Sequence, residues 1–165
     1  MVKFKIFFAP LIFISLITST GVQGQTSIGG VGTYNLSGFG IGFQVAMKEN
    51  KKISYHTRLM DNWGNKNNVA YQAYELGAGI RYKIFELEED LSFLIGASPI
   101  LSYQRQSDED SNTLQQFNYG GNGGLTLNIN TANNSIIGIT ISKAIYGKNF
   151  VAAEDIRLGL AYSFY

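Results

Sequence analysis

The sequence predicts an all-β protein, an eight-stranded antiparallel up-and-down transmembrane β-barrel. Three observations predict it. The last eleven residues alternate strictly between apolar side chains and polar or small ones. The chain opens with an apolar leader, and eight strand-like segments follow it. Only 15% of the residues are charged, against about a quarter in soluble domains, so a secreted β-sandwich or jelly roll is the less favoured alternative.

The leader is predicted to be a signal peptide over residues 1–24. Two lysines near the start precede an apolar run over 6–17, and a small-x-small cleavage pattern ends at Gly24. The apolar run is too short to cross a membrane comfortably, although an uncleaved signal anchor is the alternative. We therefore expect export and cleavage, with residues 25–165 as one outer-membrane barrel domain of a Gram-negative cell.

Composition excludes several classes of function. The chain has no cysteine, so it holds neither disulfides nor thiolate metal sites. After removal of the leader, 11 basic side chains face 12 acidic ones, which leaves no basic footprint for nucleic acid. No later segment is long and apolar enough for a transmembrane helix, so a membrane-spanning chain must close into a barrel.

The strand-like segments, in chain order, are 26–35, 38–48, 52–60, 70–84, 90–105, 115–130, 135–146 and 155–165. Several have about the ten residues that a tilted transmembrane strand needs. Short connections near 49–51, 85–89 and 131–134 alternate with longer polar ones near 61–69, 106–114 and 147–154. Apart from a tight turn at 35–38, this parity predicts periplasmic termini and outward-facing longer loops.

The side-chain phase assigns one face of each segment to lipid. In the fourth segment, the even-numbered residues from Tyr74 to Tyr82 are apolar, and Glu75 and Arg81 lie on the other face. The fifth to eighth segments alternate in the same way, and their polar faces carry mostly Gly, Ser, Asn and Thr. Small polar residues suit the narrow interior of an eight-stranded barrel. Aromatics near the segment ends predict belts at the two membrane interfaces.

Architecture, leader and aromatic C-terminus resemble the small eight-stranded outer-membrane proteins of the OmpX and OmpA type. Such barrels more often end on the lipid-facing aromatic itself, whereas here Tyr165 follows the in-phase Phe164. A narrower resemblance, from about Tyr55 onward, is to the TraO family of conjugative-transposon outer-membrane proteins. It is carried by Tyr71-Gln-Ala-Tyr-Glu-Leu-Gly77, Phe117-Asn-Tyr-Gly-Gly-Asn-Gly-Gly-Leu125 and Lys143-Ala-Ile-Tyr-Gly147, and it implies a role in a conjugative transfer apparatus.

The inward phase predicts a polar network in the lumen that is structural. Its members are Arg58, Glu75, Arg81, Arg157 and His56. Buried charges must pair, and the hairpin of the third and fourth segments predicts a contact between Arg58 and Glu75. A polar pore is the alternative, but eight strands favour a filled interior.

Catalytic, cofactor-binding and metal-binding residues are not predicted. His56 is the only histidine, and its inward phase puts it out of reach of lipid, so a lipid-modifying hydrolase is the least favoured alternative. The Gly-rich run at 120–124 lacks the Lys-Ser/Thr of a phosphate loop. The segment Ser107-Asp-Glu-Asp110 lacks the ligand spacing of a calcium loop. We therefore expect a non-enzymatic protein without cofactors.

Function is then expected to reside in what the barrel displays. The first hypothesis is a structural or docking component of the outer membrane, with conjugation proteins as partners; the alternative is a surface barrel whose loops bind an extracellular partner. Trp63 and Phe150 fall in predicted outer loops and are candidate contacts. Membrane lipid, and the barrel assembly machinery acting through the C-terminal strand, are the other expected partners.

Overall fold

The structure is a computed structural model and describes residues 25–88, 90–107, 113–131, 134–147 and 154–165. The predicted signal peptide and Phe150 lie outside these residues. The strands are β1 (Gln25–Asn35), β2 (Gly38–Lys48), β3 (Ile53–Lys66), β4 (Val69–Leu87), β5 (Leu91–Ser107), β6 (Thr113–Thr131), β7 (Ser135–Tyr146) and β8 (Glu154–Phe164). The described part of the chain contains no helix that could span a membrane.

The eight strands form one closed antiparallel barrel in sequence order. Each strand pairs with its chain neighbours, and β1 closes the barrel by pairing with β8, for example Val31 with Ala161. Because the barrel is closed, no sheet edge is left open in the membrane-spanning region. The backbone groups of such an edge could not form hydrogen bonds with lipid. The predicted fold class is confirmed.

The connections define two ends of the barrel. The end where β1 starts and β8 ends, here called the terminal end, has the connections 49–52, 88–90 and 132–134. The opposite, distal end has the two-residue turns 36–37 and 67–68 and the longer connections 108–112 and 147–153.

The prediction of a long loop at 61–69 is wrong, because β3 continues to Lys66 and β4 starts at Val69. Only Asn67 and Asn68 form the turn, with φ of 53° and 64°. Positive φ at both central residues is the geometry of a type I′ hairpin, which asparagine tolerates. The polar composition that indicated a loop belongs to strand beyond the lipid band, where an apolar outer face is not required.

The outer face of the barrel is apolar over its middle. Large side chains such as Phe43, Ile95, Leu125 and Ile141 are exposed there, while the alternate residues of the same strands are mostly buried or half-buried. The phase predicted for the fourth to eighth segments is confirmed. Exposed apolar surface of this extent would drive aggregation in water but is what lipid solvates.

Aromatic residues form a belt at each end of this apolar band. The terminal belt contains Tyr55, Tyr82, Phe85, Phe93, Tyr162 and Phe164, and the distal belt contains Tyr34, Phe39, Trp63, Tyr74, Tyr103, Phe117 and Tyr119. Neighbouring rings touch, with centroids 5.4 Å apart for Phe39 and Trp63, 5.0 Å for Tyr103 and Phe117, and 4.3 Å for Phe85 and Phe93. From Tyr74 to Tyr82 the tilted strand climbs roughly 20 Å, close to the height of the apolar band in such barrels.

Candidate functional site

The centre of the distal lumen is an ion pair between Glu75 of β4 and Arg157 of β8, which lie on opposite sides of the barrel. Arg157 Nη1 donates to Glu75 Oε2 at 2.7 Å, and Nη2 donates to Oε1 at 2.8 Å. Each side chain is only 2% exposed. The two parallel hydrogen bonds give the strong bidentate geometry of arginine and carboxylate.

Three neighbours complete this group. The Tyr146 hydroxyl donates to Glu75 and accepts from Arg157. Arg157 Nε donates to Asp155 Oδ2 at 3.2 Å, and Asn35 Nδ2 donates to the same oxygen at 2.8 Å. We call Asn35, Glu75, Tyr146, Asp155 and Arg157 the distal cluster. Its hydrogen bonds join β1, β4, β7 and β8 across the lumen.

The expected pairing of Glu75 with Arg58 is wrong. In the β3–β4 register Arg58 lies opposite Gly77, and Glu75 lies opposite Met60. Arg58 is buried, but no carboxylate of the described residues lies within ion-pair distance of it; it donates to the amide oxygen of Asn122 at 3.3 Å when that amide is turned to satisfy its neighbours. A hairpin places only adjacent strands side by side, whereas in a narrow barrel long side chains reach the opposite wall.

The other predicted lumen residues lie nearer the terminal end. Arg81 donates to Gln44 Oε1 at 3.4 Å, and Gln44 donates to Ser163 Oγ at 3.0 Å. His56 is buried, and its Nδ1 has no hydrogen-bond partner among the described residues. The five predicted residues therefore fall into two groups. Glu75 and Arg157 belong to the distal cluster, and Arg58, Arg81 and His56 lie nearer the terminal end.

Tyr146 and Asn35 are cluster members that sequence reasoning did not identify. Both occupy the last position of a strand, and both follow the inward phase of that strand. Tyr146 also lies within the Lys143-to-Gly147 segment that carried part of the TraO resemblance. The available signal was the phase, since an inward tyrosine in a lumen of small residues needs a polar partner for its hydroxyl.

Trp63 is not a loop residue, which corrects its assignment as an outer-loop contact. It lies in β3, pairs with Phe39 of β2 and Gln72 of β4, and is half-buried in the distal belt. The other candidate contact, Phe150, lies outside the described residues. The aromatic side chain of Trp63 therefore lies at the membrane interface.

The barrel wall is uneven at its distal end. Residues 113–119 of β6 pair with β5 over 101–107, but pairing with β7 begins only at Gly120. We call β6 residues 113–119 the distal edge. Its large apolar side chains are strongly exposed, at 55% for Leu114, 86% for Phe117 and 74% for Tyr119.

The Gly-rich run at 120–124 is closely packed strand. A Cβ on Gly120 would lie 2.2 Å from the Ile145 carbonyl oxygen, and one on Gly124 would lie 2.5 Å from that of Ile141. The described residues contain no group of three or more His, Asp or Glu side chains that could hold a metal ion. No hydrogen bond joins His56 to a serine or a carboxylate in the described part of the chain.

No protein-family model matches the chain, and no curated protein matches it significantly. Solved structures do match it. The N-terminal β-barrel domain of Pseudomonas aeruginosa OprF has a TM-score of 0.64 at 16% identity, covering 86% of this chain and 100% of that one. Neisserial surface protein A, NspA, has a TM-score of 0.62 at 12% identity, covering 84% and 94%.

The attachment invasion locus protein Ail of Yersinia pestis is also similar, with a TM-score of 0.53 at 13% identity, covering 86% of this chain and 97% of that one. At these identities the likeness establishes the fold, and the TraO resemblance has no counterpart among the matches. A closed antiparallel barrel with an apolar band and two aromatic belts is the architecture of outer-membrane proteins. The chain has the fold of the small eight-stranded outer-membrane β-barrels.

Proposed function

We propose that this chain is a non-enzymatic barrel of the Gram-negative outer membrane that docks a partner protein on its distal edge. The observation that carries the proposal is the β7-facing side of residues 113–118, which pairs with no strand among the described residues. Soluble and membrane proteins usually shorten, cover or charge such edges, because exposed backbone groups accept another strand. This edge instead displays Phe117 and Tyr119 on its outer face and Leu114 on the opposite face.

The occupant that fits this surface is an extended segment of another protein. The Gly147 amide donates to the Tyr119 carbonyl at 3.0 Å on the β7 side. Because backbone groups of alternate strand residues point to the same side, Gln115 and Phe117 present their N–H and C=O groups to the open side. A partner strand would pair with these groups, and its side chains would contact the exposed aromatics.

Two further features support this orientation and role. The longer connections, 108–112 and 147–153, lie at the distal end, as they do at the extracellular face of such barrels. The distal cluster fills the distal part of the lumen with hydrogen-bonded side chains, which supports a rigid scaffold rather than a conduit. The aromatic C-terminal strand supports recognition by the barrel assembly machinery, and lipid covers the band.

We propose conjugation proteins as the partner on the basis of the TraO resemblance, and an extracellular protein is the alternative. A hydrolase is not supported, because the described residues supply no serine or carboxylate partner to His56. The edge geometry is common to both docking hypotheses, so the same variants test both.

Gln115→Pro is expected to abolish docking while leaving the barrel intact. Proline removes the N–H that faces the open side, and edge positions tolerate it. The matched control is Gln115→Ala, which keeps that N–H but, like the proline variant, loses the hydrogen bond from the Tyr103 hydroxyl to Gln115 Oε1 at 2.6 Å. Both variants should show normal surface level and heat-modifiable gel mobility.

The readouts are transfer frequency in mating assays and adhesion of cells to immobilised extracellular proteins, in a deletion strain complemented with each variant. A selective loss of transfer in Gln115→Pro supports a conjugation partner, and a selective loss of adhesion supports an extracellular one. If Gln115→Pro matches Gln115→Ala in both assays, the docking proposal is wrong.

A further inference from the structure

Charge is distributed unevenly along the lumen. The two buried carboxylates, Glu75 and Asp155, both bind the guanidinium of Arg157 in the distal cluster. Arg58 and Arg81 lie nearer the terminal end, and no carboxylate of the described residues lies within 4 Å of either guanidinium. The Coulomb interaction between Arg58 and Arg81 is repulsive. Glu75 attracts Arg58 from the distal side, but Arg81 has no carboxylate within ion-pair distance among the described residues. Unpaired charge in a low-dielectric lumen is costly, and the region around Arg81 has an excess of positive charge.

A cavity of about 110 Å³ opens at the terminal end directly beside this region. Arg81 and its partner Gln44 line it, together with the hydroxyl-bearing Ser27, Ser163 and Thr140. Gly96 leaves space for the arginine stem, since a Cβ there would lie 2.9 Å from Arg81 Cγ. The Arg81 side chain therefore contributes to a preformed polar cavity rather than extending freely into solvent.

The mouth of the cavity is also basic. Lys48, Lys51, Lys52 and Lys83 line it, and Glu86 is the acidic side chain among the lining residues. Lys83 is held by Glu86, with 2.6 Å between Nζ and Oε2. A register shift in β4 between Lys83 and Phe85 allows both side chains of this pair to reach the mouth.

Other acids at this end do not remove the excess. Glu49, Glu88 and Asp90 lie in or next to the turns of the terminal end, but they do not line the cavity. Among the lining residues five basic side chains face one acidic one. A focused positive potential in a polar cavity with hydroxyl and guanidinium donors is complementary to an oxyanion.

We infer that this terminal cavity is a binding site for a phosphate group, with Arg81 as its principal ligand and the lysines of the mouth as secondary ones. A guanidinium donates in the fork geometry that phosphate oxygens accept, and lysines supply further charge. The phosphate group comes either from a free phosphate compound or from a lipid headgroup of the adjacent leaflet. This site is independent of the distal edge, at the opposite end of the barrel.

The test uses the folded mature barrel in nanodiscs, with inorganic phosphate as the probe. Phosphorus NMR measures binding, and urea unfolding measures stabilisation. Wild-type protein should bind phosphate and be stabilised by it more than by chloride at equal ionic strength. Arg81→Gln should bind about tenfold more weakly, as expected for one lost charge-assisted contact. The matched control Arg105→Gln, at an exposed position of β5 near the distal end, should bind like wild type.

The source of the phosphate group is decided by the nanodisc lipid. If phosphatidic acid in the nanodisc abolishes the binding of free phosphate to the wild-type protein, and has no such effect on Arg81→Gln, the ligand is a headgroup. If the wild-type affinity for free phosphate is the same with phosphatidic acid as in phosphatidylcholine alone, the ligand is a soluble compound. Should Arg81→Gln fail to fold, Lys48→Gln replaces it and should weaken binding severalfold. The inference would be overturned if phosphate and chloride stabilised the wild-type protein equally. It would also be overturned if a folded Arg81→Gln or Lys48→Gln variant bound phosphate with wild-type affinity.

Discussion

Arg157→Ala is expected to destabilise the folded barrel by about 3–5 kcal/mol, the range for breaking a buried ion pair from one side. The variant leaves Glu75 without its bidentate partner and Asp155 without its hydrogen bond from Arg157 Nε. Both carboxylates are buried, so water cannot readily replace the guanidinium. Reversible urea unfolding in detergent micelles or vesicles measures the change.

A double-mutant cycle separates the pair from general disruption of the lumen. Glu75→Ala combined with Arg157→Ala should cost much less than the sum of the single changes, because neither charge is then left unpaired. Glu75→Ala combined with Arg58→Ala should show much weaker coupling, since Arg58 makes no ion pair with Glu75 and attracts it only at longer range. Arg105→Ala, at an exposed position, is the control and should be close to neutral. Strong coupling to Arg58 instead of Arg157 would contradict the assigned cluster.

Ile139→Arg is expected to destabilise the barrel by about 2–4 kcal/mol, the range for arginine facing lipid at the midplane. The register places this residue near the middle of the band. One row of paired residues runs from Tyr34 in the distal belt through Leu158, Ile141, Leu125 and Ile95 to Tyr82 in the terminal belt. Ile139 lies two residues from the midpoint of this diagonal row, and Leu158 lies next to its distal end.

Depth therefore predicts a graded series. Leu158→Arg should destabilise less than Ile139→Arg, because its side chain can reach the distal interface. Leu36→Arg, in the distal turn where the leucine is 91% exposed, is the control and should be neutral. Unfolding free energies measured in lipid vesicles give the order. Equal losses at all three positions, or no loss at Ile139, would show that the outer face has been misassigned.

The fold was largely predictable because successive residues of a transmembrane strand face lipid and lumen in turn, which gives the sequence a period of two. Seven of the predicted segments match the observed strands closely, since a lipid-facing side chain must be apolar wherever the strand crosses the band. The third segment was predicted to end too early. Its continuation, from Asp61 to Lys66, lies at and beyond the distal belt, where the outer face need not be apolar and polar residues no longer distinguish strand from loop.

The sequence predicted which side chains face the lumen, but not which of the charged ones form ion pairs. Phase alone places Glu75 and Arg157 inside, because each lies between outward apolar neighbours. Which charges meet depends on the tilt of the strands and on the reach of side chains across the barrel. Neither quantity is visible in a hairpin drawn from sequence, so the contact between β4 and β8 could not be derived. Tyr146 was missed for the same reason, because its hydroxyl donates to Glu75 across the lumen.

The alternating faces of these strands separate lipid from a polar lumen. Because the chain has no cysteine, single cysteines can carry nitroxide labels at successive positions of β7, from Ile137 to Ser142, in the folded barrel in vesicles. Spin-label accessibility should alternate, with high oxygen contact and low contact with a polar nickel reagent at 137, 139 and 141. The labels at 138, 140 and 142 should be restricted and shielded from lipid-dissolved oxygen. Uniform accessibility along β7, or high oxygen contact at the even positions, would contradict the account.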